Sequence, residues 1–293
     1  MICRTDIIRI ACEVGFNLCG TTRCEPMSEQ SFFFERWLSR GYAEGLPYLH
    51  RYTDRRADPR LLMPEAQTIV VCAVNYRNAL SAGYPEGFDG AKVASYALNA
   101  DYHTSIKAML RELLTQLRKL YPSLDGRMFV DTAPLLEKAL AVRAGLGGIG
   151  RNSLLITPEY GSFVHLGELL LNMPCDCYDT ASEWNPCGGC TLCLKRCPVG
   201  AINPDRTIDP RRCISARTLE SEAGELTLNG WVCGCDECQN ACPHNVGKPT
   251  ADNLRFAPTV DPLQPSTQHL LQTRTLDATL ASTPVARAFR REK

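Results

Sequence analysis

The chain has 293 residues, 44% of them hydrophobic and 22% charged, with 32 basic and 32 acidic side chains. That is room for about two domains of ordinary globular composition. Zero formal charge excludes a protein that holds nucleic acid by bulk charge alone, though a local basic face can coexist with it.

Met1 to Ile10 carries two arginines and an aspartate and has no export signal. No stretch approaches the roughly 20 apolar residues of a membrane span. Sixteen cysteines without such a signal imply a reducing compartment, so a cytoplasmic protein with no membrane contact is expected.

Thr5 to Val14 predicts a first helix with Thr5 as N-cap and Ile7, Ile8, Ala11 and Val14 on one face. Phe16 to Thr21 predicts a short strand. Ser28 is expected to cap a second helix, whose stripe of Phe33, Phe34, Trp37 and Leu38 reads as core. His50 to Arg60 is a basic run (Arg51, Arg55, Arg56, Arg60) that reads equally as a solvated loop or an anion contact.

Thr68 to Tyr76, apolar and β-branched, predicts a buried strand. A Gly/Pro loop spans Ser81 to Gly90. Thr104 is expected to cap a long helix with Ile106, Met109, Leu110, Leu113, Leu114, Leu117 and Tyr121 on one buried face, stopped by Pro122. Arg127 to Asp131 predicts a strand, and Pro134 the first turn of a helix running to Gly145. Position alone makes Asp131 a candidate helix-start cap.

Residues 145–150 spell GLGGIG, which follows a helix and therefore lacks the strand-first context of a dinucleotide fingerprint. It reads as a glycine-rich loop that lets backbone approach a flat or bulky ligand, with Arg151, Asn152 and Ser153 as adjacent donors. Leu154 to Thr157 and Ser162 to Leu171 predict strands or short core segments.

The most specific stretch is Cys187 to Pro243. It contains Cys187, Cys190, Cys193, Cys197-Pro198, then Cys213, then Cys235, Cys238, Cys242-Pro243. Two-residue gaps, a three-residue gap and a proline are the bacterial-ferredoxin spacing for paired [4Fe–4S] clusters. In that arrangement the fourth cysteine of each run crosses to the other cluster. One cluster is then expected on Cys187, Cys190, Cys193 and Cys242, the second on Cys213, Cys235, Cys238 and Cys197. Zinc has no use for crossed runs, and disulfide frameworks belong to short secreted chains. The other cysteines are expected as idle or buried thiols, with Cys175, Cys177 and Cys233 the less favoured metal candidates.

Beyond the clusters, Lys248 to Pro265 is polar and proline-rich, and a weak helix is expected around Leu270 to Leu280. Ala286 to Lys293 is a basic tail: a solvated end or a phosphate contact. Three regions are expected: an α/β catalytic domain over 1–176, a ferredoxin-like domain over 177–250 and an extension over 251–293. Clusters carry single electrons and choose no substrate, so the large N-terminal region should hold the acceptor. Read from its residues alone, the chain is a cluster-fed reductase with an unidentified redox centre.

The combination KVASYALNADYH, FVDTAPLLEKALAVRAGLGGIGRNSLLIT, CGGCTLCLKRCP, RRCIS and GCDECQNACP closely resembles the epoxyqueuosine reductases of tRNA queuosine synthesis, over most of residues 1–250. The resemblance implies a fold of the α/β (α+β) class: a nitroreductase-like, cobalamin-binding domain followed by a ferredoxin-like 2[4Fe–4S] domain. It implies reduction of epoxyqueuosine to queuosine at the tRNA wobble position. Asp131 would be the proton donor, if burial against the corrin face raises its pKa toward neutral. Cobalamin contacts would come from Arg56, Tyr96, Tyr102, His103, Asp131, Gly147, Gly148, Gly150, Arg151, Asn152 and Ser215. His103 is expected as a structural histidine rather than a cobalt ligand. A low-potential donor such as flavodoxin or ferredoxin and a monomer are expected. Longer members carry a helical-repeat domain after the clusters. This sequence lacks it, so tRNA contact is expected to rely more on the basic tail. A corrinoid reductase of small organohalides and a simple electron relay are the competing readings.

Overall fold

The computed structural model describes residues 1–220 and 228–290. Its first part runs α1 (Arg4–Val14), β1 (Leu18–Arg23), α2 (Ser28–Ser39), α3 (Thr53–Ala57), β2 (Thr68–Asn75), β3 (Lys92–Val93), α4 (Tyr102–Leu120), β4 (Gly126–Phe129), α5 (Glu137–Arg143), β5 (Gly148–Ile149), β6 (Leu155–Ile156) and β7 (Val164–Leu171). Strands β1, β2, β7 and β4 form one sheet in that order, every neighbour antiparallel.

β2 is buried at every position, and its period-two alternation divides it between two cores. Val70, Cys72 and Val74 face α1 and α4, meeting Ile7, Ile10, Val14, Met109 and Leu113. Ile69, Val71 and Ala73 face α5, meeting Leu140, Ala141 and Ala144. The result is a three-layer sandwich of helices, sheet and helix. The apolar stripe of α4 is buried as its spacing predicts, each large aliphatic side chain contributing roughly 1.5–3 kcal/mol. Gly167 allows this close packing, since a Cβ there would lie 2.6 Å from Ile106 Cγ2.

Several boundaries differ from expectation. Cys3, not Thr5, is the N-cap of α1, because Cys3 is the last extended residue. α4 begins at Tyr102 and is capped by Asp101, whose Oδ1 accepts from the His103 N–H at 3.0 Å. β4 ends at Phe129 and α5 begins at Glu137, so residues 130–136 are neither strand nor helix and Asp131 caps nothing. The aromatic stripe of α2 is not core: Phe33 is 56% exposed, and Phe34, Trp37 and Leu38 are half-buried. α2 lies instead over the cysteine-rich half, where Trp37 Nε1 donates to the Ile208 carbonyl at 2.8 Å.

The second part runs α6 (Leu192–Arg196), α7 (Ile214–Glu220), β8 (Trp231–Cys233), α8 (Glu237–Asn240), α9 (Pro265–Gln272), α10 (Ala278–Ala281) and α11 (Val285–Arg290). β8 pairs in parallel with β3 and ties the cysteine-rich half to the segment leading into α4. The single weak helix expected near 270–280 is two helices. With α11 they pack Leu271, Leu280, Val285 and Phe289 around Val93, Leu98 and Cys233. The described part of the basic tail is therefore a half-buried helix, with Arg287 paired to Glu220 at 3.1 Å. Arg291 and Lys293 lie outside the described residues. Among the described residues no helix is long and apolar enough to cross a membrane.

Candidate active site

Cys187, Cys190, Cys193 and Cys242 line one small cavity, together with Pro186 and His244. The crossed set expected from spacing is thus brought together in space. The Arg151 N–H donates to Cys187 Sγ at 3.2 Å and the Ala201 N–H to Cys197 Sγ at 3.3 Å. Cys213 lies within electrostatic reach of Cys197, and Cys238 of both Cys235 and Cys213, as a second quartet requires. Among the described residues no group of three His, Cys, Asp or Glu side chains is suited to a single metal ion. Crossed quartets of thiols are the donor set of paired [4Fe–4S] clusters. Cys233 belongs to neither set and is buried in the hydrophobic cluster of β3 and β8.

Asp131 occupies the turn after β4. Its φ of 50° is left-handed, and the Thr132 N–H reaches back to the Val130 carbonyl at 2.5 Å, closing a three-residue turn around it. Such backbone costs roughly 1–3 kcal/mol unless its surroundings impose it. The Asp131 N–H donates to Glu137 Oε1 at 2.6 Å. On the side chain, Oδ2 accepts from the Tyr102 hydroxyl at 3.0 Å and meets His103 Nε2 at 3.0 Å. The other imidazole nitrogen meets Asp101 Oδ1 at 2.8 Å. Starting α4 at Tyr102 aims both residues of the first turn at Asp131.

The electrostatics follow from these contacts. Burial pushes the Asp131 carboxyl up, but the His103 hydrogen bond and charge and the Tyr102 hydroxyl outweigh it and hold the carboxyl below its ordinary range. Burial likewise lowers His103, yet its bonds to Asp101 and Asp131 raise it to about 9. At neutral pH the proton therefore sits on the imidazole and Asp131 is a carboxylate. With one carboxylate on each nitrogen, His103 has none left for a metal, as expected of a structural histidine.

His165 was missed by sequence reasoning. It lies on β7, with its ring 4.2 Å from that of Tyr102 and 4.2 Å from that of Tyr76. His103 stacks on the far side of Tyr102 at 4.1 Å, giving a four-ring column. Burial lowers His165 to about 3, so it is neutral packing. A polar residue inside an apolar strand was the available signal.

The other expected residues divide into groups. Tyr96 joins the site, edge-on to Tyr102 at 6.2 Å, and a Cβ on Gly234 would lie 2.9 Å from its ring. Two ring contacts thus link the backbone beside Cys235 to Asp131. Arg56 is buried, its guanidinium over the Phe34 ring, within electrostatic reach of Glu137, and its Nε meets no partner. That favours the anion-contact reading over a solvated loop. Arg287 of α11 also feels Asp131.

Gly147 and Gly148 do not open space for a ligand. A Cβ on them would lie 2.1 Å from the Ile156 carbonyl oxygen and 2.3 Å from that of Trp184, so they permit chain-on-chain packing. Gly150 is similarly close to Asn152 Oδ1 and Ile156. The Arg151 side chain donates to the Pro204 and Gly188 carbonyls, so it braces the first cysteine quartet. Asn152 is buried with Nδ2 unpartnered, and Ser215 is half-buried in α7.

A layered α/β body with a polar acid–histidine site, joined to paired cysteine quartets, defines an iron–sulfur oxidoreductase. Residues 56–132 match the family described as "Epoxyqueuosine reductase QueG, DUF1730", and residues 186–245 match "4Fe-4S double cluster binding domain". The epoxyqueuosine reductase of Cyclobacterium marinum is 37% identical over 269 residues, covering 88% of this chain and 84% of the relative. A structure of the Bacillus subtilis enzyme, described with its catalytic aspartate loop swung out of the active site, aligns with a TM-score of 0.78 at 26% identity, over 98% of this chain and 79% of that one. A crystal structure of an epoxyqueuosine reductase with an epoxyqueuosine-modified tRNA-Tyr stem loop aligns with a TM-score of 0.76 at 25% identity, over 98% and 79%. The chain belongs to the epoxyqueuosine reductase family.

Proposed function

We propose that this chain reduces epoxyqueuosine to queuosine in the tRNA anticodon, with two [4Fe–4S] clusters and cobalamin as cofactors. The observation that carries the reading is the Asp131 carboxylate, bonded by Tyr102 and His103 and joined through Tyr96 to the second cysteine quartet. The first cluster is held by Cys187, Cys190, Cys193 and Cys242, the second by Cys213, Cys235, Cys238 and Cys197. Cobalamin, when bound, supplies the reducing equivalents to the substrate carbon. Arg56, Tyr96 and Asn152 are the contacts this structure favours for it, because each offers an aromatic face or an unpartnered buried polar atom.

The overall change takes up two electrons and two protons, breaks both C–O bonds of the epoxide, forms a C=C bond and releases water. The leaving oxygen develops negative charge and needs a proton. Asp131 delivers it, and because Asp131 rests as a carboxylate, that proton comes first from His103 Nε2 to Asp131 Oδ2. Tyr102 holds the carboxylate in line. A low-potential donor such as flavodoxin or ferredoxin reduces the clusters, and the chain works as a cytoplasmic monomer. In this proposal its domains divide at 176 and 250.

The direct test is anaerobic reconstitution with iron, sulfide and cobalamin, followed by incubation with a chemical reductant and an epoxyqueuosine-containing stem loop. Mass spectrometry of the nucleosides is expected to find queuosine. Full cluster and cobalamin loading with no loss of the epoxide would overturn the proposal.

A further inference from the structure

Glu168 is an unusual residue for its place. It sits on β7 in the middle of the main sheet, paired across to Val71 and Phe129, and is 0% exposed. It shares a face with Leu170, which packs under α5. Among the described residues neither carboxyl oxygen meets an N–H or hydroxyl donor. Within its electrostatic reach lies Glu137, the first residue of α5. Two buried carboxyl groups side by side disfavour each other's charge, and burial pushes both up, Glu137 to about 7. Glu168, deeper and without other donors, is the one that burial keeps protonated. Glu137 keeps an acceptor oxygen, and that oxygen takes the Asp131 N–H at 2.6 Å. Arg56 and Lys138 lie within electrostatic reach of Glu137 and offset its charge.

We propose that Glu137 is the positioning residue that latches the Asp131 turn in place, with the buried Glu168 beneath it as the anchor. The chain of contacts runs from the buried Glu168 to Glu137, then from the Asp131 N–H to Glu137 Oε1. It ends on the residue with strained, left-handed backbone, which has the most reason to relax if released. Outside helix and strand, the turn's own backbone bonds are two short closures, Thr132 N–H to the Val130 carbonyl and Leu135 N–H to the Ala133 carbonyl at 2.8 Å. A latch of this kind sets how much of the time the acid faces the substrate without itself touching it. This inference rests on Asp131 being the catalytic acid.

Amide hydrogen exchange on the full-length, cluster-reconstituted chain tests the latch without tRNA or cobalamin, so its result stands apart from that of the turnover assay. Exchange in a peptide covering 130–136 is expected to rise at least about tenfold in Glu137→Ala and in Glu168→Leu, with β7 and α4 unchanged. Glu137→Gln keeps an oxygen for the Asp131 N–H, and Glu168→Gln keeps a donor for Glu137; both are expected to restore protection. In turnover, Glu137→Ala is expected to lose at least about tenfold in kcat with KM for the stem loop within twofold. Unchanged exchange at 130–136 in Glu137→Ala would overturn the proposal. So would Gln variants as loose as the apolar ones, or a rise spread evenly over the chain, which would mark a purely structural pair.

Discussion

His103 Nε2 and Asp131 Oδ2 stand 3.0 Å apart, and the imidazole holds the proton between them. Asp101, the cap of α4, grips the opposite nitrogen at 2.8 Å, so helix start and proton source are one piece of geometry. The proposed acid of this site is therefore a pair.

The pair predicts a pH signature. His103 is raised from 6.5 to about 9, so its stabilising contribution is complete below about pH 6.5 and drains away as pH climbs through about 9. The melting-temperature difference between wild type and His103→Gln should shrink over that window. Turnover in the wild type should fall on a basic limb near pH 9, and His103→Gln should lose that limb and at least about tenfold of kcat. An unchanged limb in the variant would assign it elsewhere.

Asp131→Asn keeps the size of the side chain but cannot pass on a proton. It should lower turnover by about 10²–10⁴-fold while leaving cluster absorption and cobalamin uptake as in wild type. Near-normal turnover would remove Asp131 from the chemistry.

The quartets predict selective iron loss. Cys213→Ser should lose one cluster and about half the iron, because each cubane needs its own four thiolates. Cys233→Ser, outside both sets, should keep all of it. Iron analysis with electron paramagnetic resonance separates the outcomes.

Arg56 is a buried cation whose Nε has no partner. Arg56→Met should still fold and load both clusters while binding cobalamin at least about tenfold more weakly. A large drop in melting temperature would mean the guanidinium is structural.

Leu113 is fully buried between α4 and the sheet. Leu113→Ala should cost about 2–5 kcal/mol in denaturant unfolding, by lost transfer energy and the cavity left behind. A cost below about 1 kcal/mol would mean the layer is looser than its packing suggests.

Some of this was written in the linear sequence because its cause is local. Cluster ligands sit a turn apart, so the spacing from Cys187 to Cys242 carries its own meaning. Likewise, β2 is buried because eight residues in a row suit a covered strand, and α4 because its apolar side chains recur on one face. Other features depend on which distant segments meet. The α2 aromatics read as core but turned toward the cysteine-rich half, since a helix stripe does not name the surface it will cover. Glycines 147 and 148 looked like a ligand loop and proved to be where the chain packs on itself. The proton of the site could not be placed without seeing His103 and Tyr102 arrive on Asp131, and Glu168 meets Glu137 only because β7 runs beneath α5. Residue chemistry determined which groups could act; the register of the sheet and the packing of helices on it decided which of them touch, and with that their charge.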